Sequence, residues 1–298
     1  MFNSKLCVVT GGGSGIGKAL CEQLVKAGAG GVYVVDISRE SAQKVAASLP
    51  SLAIHHHQNN NNNNFRCNFG AADVGNEDDI KRVIHDAWQS FGQVDIFFSN
   101  AGIMTMGGID VDDVSNGQWE KIWNVNVMSH VFAARHLFPL WRHKKRRSSL
   151  GSNLADDRGH LSSSEGIFVI TASAAGLLMQ IGSLPYHVTK HAAVSVADWL
   201  AVHHYGDGVR VHCICPQAVQ TNMLASSVAP GGGSAGLDGI LSPNEVAIET
   251  IQAIERKQFL VLPHPKVKKY FERKASDYDR WLNGMRRVHR HFFSPSKI

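Results

Sequence analysis

Polarity along the chain alternates between short apolar runs and longer stretches with helical spacing. Lys5-Leu-Cys-Val-Val-Thr10 is an apolar run that stops at Gly11-Gly-Gly-Ser-Gly-Ile-Gly17. Ile16, Leu20, Leu24 and Val25 then share one face of a predicted helix. Val32-Tyr-Val-Val-Asp36 is apolar without alternation, as expected of a strand covered by helices on both sides. Further strands are predicted near Phe65–Ala71, Val94–Asn100, Gly166–Ser173, Arg210–Cys215 and Phe259–Leu262. Strands interleaved with helices imply right-handed crossovers, hence an α/β fold with a doubly wound, seven-stranded parallel sheet. Residues 1–265 form one domain on this reading, followed by a helical tail over 266–298. Two segments interrupt the pattern. The Asn/His-rich stretch 55–64 buries nothing that offsets its ordering entropy and reads as a solvated loop. Residues 143–165, which follow an apolar helix over Val131–Trp141, read as a mobile surface insertion. Their basic patch at Lys144–Arg147 leaves a membrane or partner contact open.

Composition narrows the possibilities. The 298 residues are 44% hydrophobic and 18% charged, which excludes global disorder and fibrous repeats. No run reaches the roughly 18 apolar residues of a membrane span, and no cleavable signal pattern opens the chain. Cys7, Cys21, Cys67, Cys213 and Cys215 are too scattered for a disulfide framework, so all five are read as reduced and the protein as cytoplasmic. Cys213 and Cys215 are expected on opposite faces of their strand. The net charge of +5 is uneven: residues 266–298 carry ten Lys/Arg against Glu272, Asp277 and Asp279. A basic tail on a slightly acidic body is unlike a nucleic-acid-binding domain and is expected to be a solvated amphipathic helix. Three histidines at 55–57 lack a fixed fourth ligand nearby, so no metal site is expected.

The glycine cluster sits where a first strand meets a first helix. Backbone N–H groups at a helix N-terminus hold a pyrophosphate there, and side chains would block its approach. Gly-rich turns also serve as plain punctuation. Here the cluster is followed by Asp36 at the end of the second strand. A carboxylate at that point accepts the ribose hydroxyls of NAD and repels the 2′-phosphate of NADP. Arg39 comes only three residues later, and the plainer reading of Asp36 is a solvated strand end. The spacing Thr-Gly-x-x-x-Gly-x-Gly, with Asp73-Val74, Asn100-Ala-Gly102, Asn126, Ser173, Tyr186-x-x-x-Lys190 and Pro216 to Thr221, resembles the short-chain dehydrogenase/reductase family, whose fold is of the Rossmann type. The motifs span residues 10 to 221. Gln217 departs from the pattern, where the family has Gly; it is expected to face substrate or cofactor. The resemblance implies cofactor contacts from Gly11, Ser14, Gly15, Ile16, Gly17, Asp36, Ile37, Asp73, Val74, Asn100, Ala101, Gly102, Tyr186, Lys190, Pro216, Val219 and Thr221.

The pair Tyr186 and Lys190 has a physical reading of its own. A phenol titrates near 10, too high for a good base at neutral pH. An ammonium four residues on shares its helix face and is expected to lower it. Ser173 can hold a substrate oxygen against the phenol. The resemblance adds that Lys190 reaches the nicotinamide ribose and that Asn126 anchors a water relaying protons to it. Duller readings stand beside these: a chance helical pair, a capping serine, a satisfied polar Asn126, and a His187 that packs or lines substrate. On this reading a hydride passes between NAD(H) and a secondary alcohol or ketone. The alternatives are a catalytically silent dinucleotide-binding module and an NAD-retaining epimerase or dehydratase. Apolar segments at Ala174–Pro185 and Thr221–Pro243, the latter with a flexible Pro230–Ser234 hinge, suggest a hydrophobic substrate. Leu262–Pro265 and the aromatic tail resemble 15-hydroxyprostaglandin dehydrogenase-like members. By analogy with the family a homodimer or homotetramer is expected. The terminal Ser296-Lys297-Ile298 approaches a peroxisomal address, the alternative to a cytoplasmic location.

Overall fold

The computed structural model describes residues 1–56, 65–105, 110–150, 166–225 and 236–293, with the backbone alone for 55–56, 145–150 and 293. The Asn/His tract from 57, the segment 151–165, the Pro230–Ser234 hinge and the terminal tripeptide lie outside the described residues.

The elements follow in the order β1 (Leu6–Thr10), α1 (Gly15–Lys26), β2 (Gly31–Asp36), α2 (Arg39–His56), β3 (Arg66–Ala71), α3 (Glu77–Phe91) and β4 (Ile96–Ser99). Next come α4 (Asn116–Trp123), a π-helical turn (Asn124–Met128), α5 (Ser129–Leu150), β5 (Gly166–Thr171), α6 (Leu184–His203) and β6 (Val209–Ile214). The chain ends with α7 (Asn222–Ala225), α8 (Pro243–Glu255), β7 (Leu260–Val261), α9 (Lys266–Ser276) and α10 (Tyr278–Phe293). The strands form one seven-stranded sheet in the order β3-β2-β1-β4-β5-β6-β7. Every pairing in it is parallel.

Side-chain alternation along each strand feeds two cores. Val8, Phe97, Phe168 and Ile170 point into the layer shared with α3, α5 and α6. Cys7, Val9, Ile96, Phe98, Ile167 and Val169 point into the layer shared with α1, α2 and α8. That two-sided burial is why the strands read as continuous apolar runs. Strand order reverses between β1 and β4, and in such sheets ligands bind outside the carboxyl ends of the strands at that point.

Three expectations are corrected. Residues two apart in a strand share a face, so Cys213 and Cys215 lie together, sulfur to sulfur 3.8 Å, in the α6-side layer. Helix α5 runs past Trp141 to Leu150, because Lys144 turns inward to Gln93 (3.0 Å) and Asp95 (3.0 Å) rather than joining a surface patch. The tail is not a freely solvated helix: Val267 is fully buried, and Tyr270 and Trp281 pack against the α6-side core.

Asp95 shows how the parallel edge is pinned. Its carboxylate, 2% exposed, accepts from Leu6 N (3.0 Å), Gln93 Nε2 (3.0 Å) and Lys144 Nζ (3.0 Å), joining β1, β4 and α5. Removing it strands the buried Leu6 N–H and takes one acceptor from Lys144. Asp95→Ala is therefore expected to cost about 2–4 kcal/mol in urea unfolding, with Asp95→Asn recovering part of that loss.

Candidate active site

The glycine segment between β1 and α1 is shaped by contacts that exclude side chains. Gly11 adopts φ +65°, in the left-handed region. A Cβ on Gly17 would collide with the Gly11 carbonyl and stand 2.7 Å from Asn100 Nδ2. Asp36, at the end of β2, accepts from Gly13 N through Oδ2 (2.9 Å) and from Ser38 N through Oδ1 (3.0 Å). Arg39 does not approach that carboxylate as a partner; it stacks over Phe69, 5.2 Å from the ring centroid. Asp73 accepts from Gly75 N (2.9 Å), while Thr221 packs against Gly15, where an added Cβ would meet its methyl at 3.1 Å.

Hydrogen bonds lace this loop to the neighbouring strand ends. Thr10 Oγ1 donates to Phe98 O (3.1 Å) and accepts from Asn100 N (2.9 Å) and Ala101 N (3.2 Å). Asn100 Nδ2 donates to Thr10 O (2.9 Å), and Asn100 Oδ1 accepts from Thr171 Oγ1 (3.0 Å). Thr171 O in turn accepts from Lys190 Nζ (3.1 Å). Three residues, Thr10, Asn100 and Thr171, thus link the glycine loop to the lysine through successive hydrogen bonds.

Ser173, Tyr186 and Lys190 are all buried, 8%, 7% and 3% exposed, and all face the same cleft. Ser173 does cap, accepting from Ala175 N (3.1 Å) and donating to Pro216 O (3.3 Å), and it also hydrogen-bonds the Tyr186 phenol. Burial pushes the phenol above its ordinary range, against the hydrogen bond with Ser173. This corrects the expected depression: Lys190 Nζ is committed to Thr171 O and lies 5.5 Å from the phenol ring centroid, so burial dominates. Burial also pulls the Lys190 ammonium down to about 8. His130, behind it, shares a 2.7 Å hydrogen bond with Ser99 Oγ, and burial brings its imidazole down to about 3, so it stays neutral.

Every expected cofactor position from Gly11 to Thr221 lines one cleft of about 1140 Å³, as does Gln217. Asn126 does not line it. From the π-helical turn its Oδ1 accepts from Ile103 N (2.9 Å), and its Nδ2 donates to Ile103 O (2.9 Å) and Thr189 Oγ1 (3.2 Å). It fastens the segment after β4 to α6. His187 braces the loop before α6, accepting from Gln180 N (3.2 Å).

The far wall is what the sequence reading missed. Tyr270, Arg273, Arg280, Trp281, Met285 and Val288 line the cleft from α9 and α10. Lys274 Nζ donates to Leu177 O and Leu178 O (2.8 Å each), in the loop just after Ser173. Asp238 receives Tyr270 OH (3.0 Å) and Lys266 Nζ (3.0 Å), and Gln217 hydrogen-bonds it as well. The signal was present in the spacing of Trp281, Met285 and Val288, an apolar stripe that needs a partner.

The model of the short chain dehydrogenase family matches residues 5–230. The chain belongs to that family. It is 29% identical over 225 residues to meso-2,3-butanediol dehydrogenase of Serratia marcescens, covering 74% of each chain. It is 29% identical over 216 residues to 3beta-hydroxysteroid dehydrogenase 2 of Eggerthella lenta, covering 72% of this chain and 71% of that one. Among solved structures, a short-chain dehydrogenase/reductase from Burkholderia phymatum in complex with NAD superposes with a TM-score of 0.73 at 24% identity, covering 93% and 95% of the two chains. That likeness establishes the family's fold here.

The buried lysine gives this family member a measurable pH signature. A lysine that titrates near 8 when folded and at its ordinary 10.5 when unfolded binds more protons in the unfolded chain between those values. Stability therefore gains from rising pH across that window, since the cost of the buried charge is full below 8 and relieved above it. Lys190→Met removes the effect. In thermal melts, wild type is expected to gain on the variant from about pH 8 to pH 10.5. A constant difference would contradict the assignment.

Proposed function

We propose that this chain is an NAD-dependent oxidoreductase that interconverts a secondary alcohol and a ketone with a largely hydrophobic body, with Tyr186 as the acid/base group. The observation that carries the reading is that Tyr186 and Lys190 open onto the same cleft as a glycine cradle, to which Thr171, Asn100 and Thr10 bind Lys190. The names of the relatives, dehydrogenases of a diol and of a hydroxysteroid, support the reaction class. NAD rather than NADP is supported by Asp36, whose carboxylate lies against the cradle.

The fit to a dinucleotide is tested by the cradle itself. A Cβ on Gly13 would stand 2.8 Å from Asp36 Oδ2 and one on Gly17 would strike the Gly11 carbonyl, so backbone and carboxylate close on a space that admits no side chain. Gly11, Ser14, Gly15, Ile16 and Gly17 would hold the phosphates. Asp36 and Ile37 would hold the adenosine ribose, Asp73 and Val74 the adenine. Asn100, Ala101, Gly102, Pro216, Val219 and Thr221 would complete the wall to the nicotinamide, whose ribose Lys190 would reach. Bound there, NAD supplies the two-electron acceptor that no side chain offers.

The chain's own groups handle the proton. Ser173 Oγ holds the substrate oxygen beside the phenol, and Tyr186 removes its proton in oxidation or returns one in reduction. The lowered ammonium of Lys190 keeps a proton close to exchange near working pH, and Asn126 fixes the loop behind it. Apolar Ile103, Met104, Leu178 and Met223 line the substrate end. Residues 1–265 are read as the cofactor-binding domain, closed by the 266–298 tail. The location is read as cytoplasmic, with the peroxisome as alternative.

The test is reduction of NAD and NADP by a panel of secondary alcohols, followed at 340 nm. Turnover is expected with NAD in preference to NADP. Tyr186→Phe is expected to lower kcat by about 100- to 10,000-fold while NADH binding, measured by fluorescence, persists. Turnover surviving in the phenylalanine variant would sink the assignment of the base.

A homo-oligomer is read from α6, which leaves Val188, Trp199 and Val202 exposed, at 36%, 55% and 75%. Apolar groups grouped on one helix suggest a covered face. Trp199→Glu is expected to lower the mass measured by light scattering; an unchanged mass would place the interface elsewhere.

A further inference from the structure

The outer wall of the cleft combines an apolar stripe with a series of guanidinium groups. On α10, Trp281, Met285 and Val288 face the cleft together with Arg280 and Arg287, and Arg273 joins them from α9. Arg280 and Arg287 are two helical turns apart, about 10 Å along the wall. Arg287 folds back over a cleft-lining glycine, its Nη2 lying 3.9 Å from where a Cβ on Gly284 would stand.

Among the described residues none of these three arginines has a carboxylate partner. The acids on this part of the wall are engaged otherwise. Asp238 is held by Lys266 and Tyr270, and Asp277 caps α10 by accepting from Arg280 N (2.9 Å). Arg286, on the outer side, is bonded to Asn283 (2.7 Å).

The position of this wall sets its role. Lys274 fastens α9 to Leu177 and Leu178, in the segment that follows Ser173, and Trp281 packs on the α6-side core. The arginines therefore belong to the end of the cleft where substrate sits, away from the glycine cradle that would hold the dinucleotide phosphates. The same cleft is also lined by Leu178, Met179, Met223 and Leu224. A neutral hydrophobic alcohol would use the apolar lining and leave these three exposed guanidinium groups without a counter-charge.

We infer that the substrate is an amphiphile: an apolar body carrying the reacting oxygen, and an anionic end that Arg280 and Arg287, with Arg273 beside them, receive on the tail wall. The forked guanidinium matches the oxygens of a carboxylate, sulfate or phosphate group. Seven-residue spacing lets anions on bodies of different lengths find a partner. This inference rests on the oxidoreductase reading for its reacting oxygen, while the anion site itself is open to a binding test that needs no turnover.

Decanoate, decyl sulfate and decan-2-ol would be titrated into the full chain, saturated with NADH, by calorimetry. At low ionic strength the two anions are expected to bind about tenfold or more tightly than the alcohol. In 0.5 M salt the margin is expected to shrink, and in the double variant R280Q/R287Q the ratio of affinities should fall towards one. Both residues are exposed, and a thermal melt checks that the variant folds; R287Q alone, which keeps one guanidinium, is expected to fall between. Equal binding of decanoate and decan-2-ol, no binding of decanoate, or a ratio that survives in the double variant would each overturn the inference. So would a loss confined to NADH affinity, which would assign the arginines to the cofactor. Arginine-dependent sedimentation with phosphatidylserine vesicles, with no preference for decanoate, would overturn it as well and assign α10 to a membrane surface. Absence of alcohol oxidation alongside intact anion binding would strike the oxidoreductase reading and leave this one standing.

Discussion

A short relay of hydroxyl and amide hydrogen bonds ties the carboxyl ends of β1, β4 and β5 together, and the cleft is built outward from it. Thr10, Asn100 and Thr171 each spend side-chain donors and acceptors on one another's strands, and Thr171 passes its own carbonyl to Lys190. Parallel strands end on the same side, so every βα turn of the sheet opens there with unpaired backbone groups. In this chain short polar side chains pair several of them: Phe98 O, Asn100 N, Ala101 N and Thr10 O. The result is a floor in which the glycine turn, the loop after β4 and the helix carrying Tyr186 cannot shift independently. Rigidity of that kind is what proton transfer over hydrogen-bond distances requires.

The same floor explains the electrostatics above it. Ser99 and His130 form a neutral pair beneath the lysine, Asn126 is saturated by Ile103 and Thr189, and among the described residues no carboxylate reaches Lys190. A buried ammonium without a counter-ion loses affinity for its proton, and a buried phenol holds its proton more firmly. The phenol, ordinarily near 10, therefore rises while the ammonium, ordinarily near 10.5, falls to about 8, so shared burial makes the lysine the group that releases its proton first. The sequence argument, in which the ammonium simply depresses the phenol, left out the desolvation that their shared burial imposes.

Legibility differed with the range of the interaction that decides each feature. The glycine turn, Asp36 and the Tyr186–Lys190 spacing are local, fixed by a few consecutive residues or by one helical turn, and their shared cleft follows from strand order. The strand-like runs placed all seven strands to within a few residues; the central strands are buried on both faces and leave no alternation to misread, whereas edge strand β3 alternates exposed and half-buried positions. The tail was another matter. Its charge suggests solvent, yet Val267 is fully buried and Lys274 spends its ammonium on two loop carbonyls nearly a hundred residues away in sequence. Net charge reports on the face that meets water, whereas the apolar stripe reports on the face that meets protein, and α10 has both. The paired thiols of Cys213 and Cys215 could have been read from strand periodicity alone, since a period of two returns the second side chain to the first one's face.

Gln217 shows how one departure from the family pattern propagates. A glycine after Pro216 would leave the turn beyond β6 without a side chain. Here the amide reaches Asp238, and the same carboxylate takes Tyr270 and Lys266 from the tail. The backbone of Gln217 adds a second tie by donating to His264 Nδ1 (3.2 Å), at the entrance to α9. Two of the three cleft segments that differ most from a bare nucleotide-binding sheet, the segment after β6 and the tail, therefore meet at a single residue. The third, after Ser173, is held to the tail by Lys274. Docking of α9 and α10 thus orders both substrate-side segments at once. That coupling explains why a basic helix, costly to hold against a sheet edge already lined with backbone dipoles, is retained as a wall: without it Asp238, Leu177 and Leu178 would lose the partners that fix the substrate end of the cleft.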